Sequence, residues 1–162
     1  PSPQYIRFDR TGIPDLYSNK KIDFKSGLIK IRDGEDLCII ATGIMVHQAL
    51  EVASELHKEG IEAGVIDLHR IKPITKDLLM KHIQGHQQIV TMEEHLLAGG
   101  MGSAIAEILV DEGISTPLLR IGQDDKFVFD LGGRRAIWEA HGLDIPSIIK
   151  QIKDKSIVPI TR

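Results

Sequence analysis

Three observations in the 162-residue sequence predict an α/β fold, a three-layer, doubly wound and mainly parallel sheet. Leu37–Ala41 is an uninterrupted apolar run of strand length, as expected of a strand buried on both faces. Residues 46–58 then set Val46, Ala49, Leu50, Ala53 and Leu56 on one face at the helical period. This strand-then-helix rhythm recurs down the chain, and such units join into one parallel sheet through right-handed crossovers.

Taken in order, residues 5–9 alternate like a short strand, and Gly12-Ile13-Pro14-Asp15 supplies turn chemistry. A strand so near the first residue, with nothing ahead of it to pair with, suggests a piece of a longer chain. Residues 18–25 are polar and lysine-rich, anchored only by Ile22 and Phe24, and read as a linker. A strand over 27–32 is closed by the Asp33-Gly34 turn. Helix 46–58 stops at Gly60, where a C-cap glycine belongs. Strand 63–68 leads through the Lys72-Pro73 turn to helix 75–84, with Thr75 as its N-cap and Leu78 and Leu79 facing inward. The third unit is strand 88–92, a Gly-rich turn, and helix 103–112 carrying Ala104, Ile105, Ile108 and Leu109. Strand 117–121 and two short helices, 133–140 and 145–154 on either side of Gly142, complete the set.

Composition narrows the function. A net charge of −3 and only 4% aromatic residues argue against nucleic acid and against an anionic membrane surface. No apolar run approaches the roughly 20 residues that span a bilayer, and no signal-peptide pattern opens the sequence, so a cytoplasmic location is expected. Cys38 is the single cysteine, set among Leu37, Ile39 and Ile40, and reads as a small buried hydrophobe.

In open α/β sheets, ligands gather beyond the carboxyl ends of the strands. That rule selects Thr42-Gly43-Ile44-Met45, then Asp67-Leu68-His69-Arg70, then Glu93-Glu94-His95 with the turn Gly99-Gly100-Met101-Gly102-Ser103. The glycines of that turn, Gly99, Gly100 and Gly102, together with Ser103, either hold an anion at a helix start or simply let helix and sheet pack closely. It is not a Walker loop, and Ser103 lacks the setting of a hydrolase nucleophile. Glu93, Glu94 and His95 could perform acid–base work, yet neighbours on a strand point to opposite sides. Hydrogen bonding between subunits or capping of the following turn are the structural alternatives. His82 and His86 lack a carboxylate spaced to complete a zinc set, and His47, His57 and His141 are expected at the surface.

These segments, in this order, resemble the C-terminal domain of the transketolase family, which also occurs in 1-deoxyxylulose-5-phosphate synthase and in the beta component of 2-oxo-acid dehydrogenases. The match runs from Gly34-Glu35-Asp36-Leu37 and Ala41-Thr42-Gly43 through Val65-Ile66-Asp67-Leu68 and Ile71-Lys72-Pro73-Ile74. It continues with Glu93-Glu94-His95, Gly99–Ala104, Arg120-Ile121-Gly122 and Gly142-Leu143-Asp144. The resemblance implies three parts. Residues 1–17 end a preceding pyrimidine-binding domain, 18–33 are linker and first edge strand, and 34–162 are the C-terminal domain.

It further implies two-carbon ketol transfer between phosphorylated sugars, with thiamine diphosphate and a divalent metal (Mg or Ca) held elsewhere in the enzyme and none bound by this chain alone. The family's Gly-Asp-Gly cofactor motif is absent here. Implied partners are the remaining domains or subunit, a second copy in a homodimer, and the sugar phosphate. Arg10-Thr11-Gly12-Ile13-Pro14 matches the family pattern whose arginine reaches the substrate phosphate, which nominates Arg10. The alternatives are a beta component gripping an acyltransferase core, deoxyxylulose-phosphate synthase, or a non-catalytic assembly or regulatory module.

Overall fold

The computed structural model describes residues 3–10, 12–17 and 22–155. Every residue of β2 (Leu37–Ala41) is buried, because this strand lies in the middle of a sheet with helices on both sides. Its neighbours are β3 (Ala63–Asp67) and β4 (Gln88–Leu96), and outside these lie β1 (Ile29–Arg32) and β5 (Leu118–Gln123). The order is β1-β3-β2-β4-β5. From β2 to β5 the pairings are parallel, while β1 runs antiparallel to β3 with Ile29 opposite Asp67. The chain winds from β2 out to β3 and then crosses back to β4, so the winding direction reverses beside β2. This is the doubly wound, mainly parallel sheet that the sequence predicts.

Side-chain alternation divides the core in two. Leu37, Ile39 and Ala41 join the cluster that includes α1 (Met45–Lys58), Trp138 of α4 (Gly133–His141) and Ile148 and Ile152 of α5 (Ile145–Asp154). Cys38 and Ile40 join the opposite cluster with α2 (Lys76–Ile83) and α3 (Met101–Asp111). Burial pushes the Cys38 thiol up to about 12, so it stays protonated as a small core side chain. Ahead of β2, Asp36 is buried because its carboxylate accepts the Glu62 N–H at 2.7 Å, fastening the approach to β3.

Four expectations need correction. Residues 5–9 form no strand, and Tyr5 and Phe8 are exposed. Alternation sorts side chains to two faces, but a ladder also needs a neighbouring backbone, and none pairs with this segment among the described residues. β4 continues to Leu96 rather than ending at Met92, with its register against β5 shifted between those two residues. Thr75 occupies the N-cap position of α2, but its hydroxyl donates to the Ser26 carbonyl and accepts from Arg70 instead of capping. His141 is not a surface residue: its side chain is 7% exposed, and Nε2 lies 2.8 Å from Asp130.

Thr11, the linker residues 18–21 and the tail 156–162 lie outside the described residues. No helix among those described is long and apolar enough to cross a membrane.

Candidate functional site

All three stretches selected from the sequence lie at the carboxyl edge of the sheet: Thr42–Met45 follows β2, Asp67–Arg70 begins on the last residue of β3, and Glu93–His95 are among the last residues of β4, with the glycine-rich turn beyond. Thr42 ties the first to the third, its N–H donating to the Met92 carbonyl at 3.4 Å. What the geometry separates is the pair of adjacent acids at the end of β4.

Glu93 is 2% exposed and points toward α3. Its two carboxylate oxygens accept the first N–H groups of that helix, Met101 at 2.6 Å and Gly102 at 2.8 Å. A carboxylate facing a helix N-terminus meets both unpaired donors and the positive end of the helix dipole. The glycines make this approach possible. A Cβ on Gly100 would lie 2.2 Å from a Glu93 oxygen, one on Gly102 would lie 2.6 Å from the Thr91 hydroxyl, and one on Gly122 would lie 3.0 Å from the His95 carbonyl. Ser103 closes the turn by donating to the Leu97 carbonyl at 2.7 Å and accepting the Gly99 N–H at 3.1 Å. Arg120 reaches both Leu97 and Ser103. Of the nominated Gly99, Gly100, Gly102 and Ser103, only Gly102 donates to a carboxylate, alongside Met101, and that anion is the chain's own Glu93. An outside anion would have to displace it.

Glu94 points the other way, toward α4. Its Oε1 accepts from Arg134 Nε at 2.9 Å and from the Trp138 indole N–H at 2.8 Å. Arg134 extends its remaining fork to both Asp9 oxygens, at 2.7 and 3.3 Å, and lies 6.0 Å above the Trp138 ring. Hydrogen bonding to Asp9, and secondarily the charge of Glu94, hold the Arg134 guanidinium above its ordinary pKa. His95 turns outward, with Nδ1 3.2 Å from the Leu96 carbonyl. Glu93, Glu94 and His95 therefore do not converge on one reacting point.

A third carboxylate, Asp67, is 5% exposed at the end of β3. Burial raises its pKa, while the Tyr17 hydroxyl donates to it and His69 lies 3.8 Å away. Burial, and then the Asp67 partner, raise the Tyr17 phenol as well. Tyr17, Phe24 and His69 stack edge to face over this acid. Arg70, next in the chain, fastens the strand to the earlier segment through the carbonyls of Lys25 and Ser26, and to the following turn through that of Pro73.

Arg10 lies exposed in a bend beside the pinned Asp9. His86 directs its two ring nitrogens at the carbonyls of Ile83 and Gly34, both at 3.0 Å, and His57 lies 2.7 Å from Glu62. Sequence reasoning did not find Arg134, Trp138 or Tyr17, because their partners lie 40, 44 and 50 residues away.

Residues 27–148 match the family profile described as "Transketolase, C-terminal domain". A transketolase C-terminal section from Methanocaldococcus jannaschii, carried under a provisional name, is 38% identical over 156 residues, covering 94% of this chain and 48% of that protein. A 1-deoxy-D-xylulose-5-phosphate synthase from Gloeobacter violaceus is 42% identical over 124 residues, 76% of this chain and 19% of that protein. Among solved structures, a split-gene transketolase described as an inactive beta4 tetramer superposes with a TM-score of 0.82 at 33% identity, covering 93% of this chain and 48% of that one. The chain thus spans about half the length, or less, of the relatives it matches.

Proposed function

The chain belongs to the transketolase C-terminal domain family, and we propose that it is the C-terminal section of a cytoplasmic, thiamine-diphosphate-dependent transketolase that moves a two-carbon ketol unit between phosphorylated sugars. The observation that carries this reading is the likeness to a transketolase section across 94% of the chain, well beyond the family profile. In this reading residues 1–17 close a pyrimidine-binding domain, 18–33 form the linker and edge strand, and 34–162 are the C-terminal domain. Homodimer contacts fall to the last of these.

The residues present do not suit the cofactor's metal and diphosphate. Among the described residues, no three His, Cys, Asp or Glu side chains come together as a metal-binding set. The helix start best placed for a phosphate is closed by Glu93. In this reading the cofactor and its divalent ion belong to the remaining domains or subunit.

What this chain brings to the substrate is Arg10. Its guanidinium is permanently charged and presents a planar fork to phosphate oxygens. It is exposed, and Arg134 anchors its neighbour Asp9 to the end of β4. In the assembled enzyme, Arg10→Ala should weaken binding of the sugar phosphate by about 1.5–3 kcal/mol, the range for hydrogen bonds to charged groups. Steady-state kinetics would show this as a raised Michaelis constant, and an unchanged one removes Arg10 from the site.

A second reading, a section of a 1-deoxyxylulose-5-phosphate synthase, draws on the 42% identity over 124 residues. Formation of 1-deoxyxylulose 5-phosphate by the assembled enzyme, without transfer between two sugar phosphates, would favour it.

A further inference from the structure

Arg134 directs all three of its guanidinium nitrogens at carboxylates from two distant parts of the chain. Nε donates to Glu94 Oε1 at 2.9 Å, while Nη2 and Nη1 donate to the two oxygens of Asp9 at 2.7 and 3.3 Å. The grip is rooted in the core. Trp138 is 9% exposed, its indole N–H donates to the same Glu94 oxygen at 2.8 Å, and Arg134 lies 6.0 Å from the ring centroid. Exposed ion pairs are worth little, but a two-pronged pair whose arginine is fixed by a third group sets direction as well as position.

The segment that starts at Asp9 is held again at Tyr17, whose hydroxyl donates to Asp67 at the end of β3. Because β3 and β4 flank β2, the strands that carry the two holds are about 10 Å apart. Arg10 lies between the holds, next to the first of them.

We infer that Arg134 is a positioning residue for the substrate's phosphate: by fixing Asp9 it aims Arg10, while Glu94 and Trp138 fix Arg134 in turn. This rests on the reading of the chain as a transketolase section in which Arg10 meets that phosphate. An arginine on an exposed bend has to be ordered when it binds, and the cost falls when its backbone is already held. The C-terminal domain thereby takes part in substrate recognition through a residue of the segment before it.

The test is steady-state kinetics of the assembled enzyme with an acceptor sugar carrying a phosphate and with the same sugar lacking it. Arg134→Ala should lower the preference for the phosphorylated sugar by about fivefold, less than Arg10→Ala does, because the charged contact itself remains. The loss should fall on KM rather than kcat. In the Arg10→Ala background the same substitution should add nothing, as for two residues of which one acts through the other. Arg134→Lys keeps the charge but not the fork, and should recover only part of the preference. If circular dichroism shows that Arg134→Ala unfolds the domain, Asp9→Ala breaks the same grip from the other side and carries the test. Equal losses for the two sugars, or a loss that adds in full to that of Arg10→Ala, overturns the positioning role and leaves the transketolase reading intact. An Arg10→Ala variant with unchanged preference removes Arg10 from the site and overturns this inference with it.

Discussion

Glu93 and Glu94 are neighbours of the same chemistry on the same strand, and the structure gives them opposite employment. Glu93 faces inward and is bound by backbone N–H groups, whose positions the helix and the glycines fix. Glu94 faces the other layer and is bound by side chains, Arg134 and Trp138, which can move. A carboxylate held by backbone belongs to the fold. One held by a half-exposed arginine that also grips a separate segment is able to join parts of a molecule. Strand alternation alone produced this division, and it is why two adjacent acids here are not a catalytic pair.

Removing the inward carboxylate should have the largest effect on folding. Glu93→Ala leaves the Met101 and Gly102 N–H groups buried without an acceptor, and should cost about 2–6 kcal/mol at roughly 1–3 per unsatisfied group. The midpoint of urea denaturation reads this directly, and a loss no larger than that of Glu94→Gln would erase the contrast. Next in size is Gly102→Ala. Helix propensity alone would favour alanine by about 1 kcal/mol. The added Cβ, however, would meet the Thr91 hydroxyl at 2.6 Å, and we expect a net loss of about 1–2 kcal/mol from overpacking. A stabilised variant would show that the approach is looser than described. The smallest effect belongs to Glu94→Gln, below about 1 kcal/mol at low salt and vanishing at high salt, as for other partly exposed ion pairs. Its clearest signal is optical. Trp138 is the only tryptophan in the chain, and its emission should shift when the carboxylate beside the indole N–H loses its charge.

Much of this was legible in the sequence because it depends on local pattern. The apolar run at 37–41, the helical stripe that follows, and their repetition suffice for a doubly wound sheet. The glycine-rich turn was also legible as a place where backbone meets something closely. What met it was not, because Glu93 lies eight residues before Met101 and only the fold's return path brings them together. Glu93-Glu94-His95 reads as a strand's end by polarity, yet β4 continues through it to Leu96 because each acid finds a partner on its own side of the sheet. Residues 5–9 show the converse failure. Their alternation is strand-like, and the pairing that would make them a strand is missing from the described structure. The nomination of Arg10 came from family likeness, and no local pattern would have singled out that arginine from the others.

One reversed strand has a wider consequence. Because β1 runs against its neighbour, Ile29 starts opposite Asp67, at the rim where the other four strands finish. The upstream polypeptide is thereby delivered to that rim, which is how Tyr17 comes to sit on Asp67 and Asp9 on Arg134. Had β1 run with the rest, its four residues would have set the same entry point roughly 13 Å away, at the opposite rim. The polarity of a single short edge strand thus decides which pole of the domain looks toward the polypeptide that comes before it.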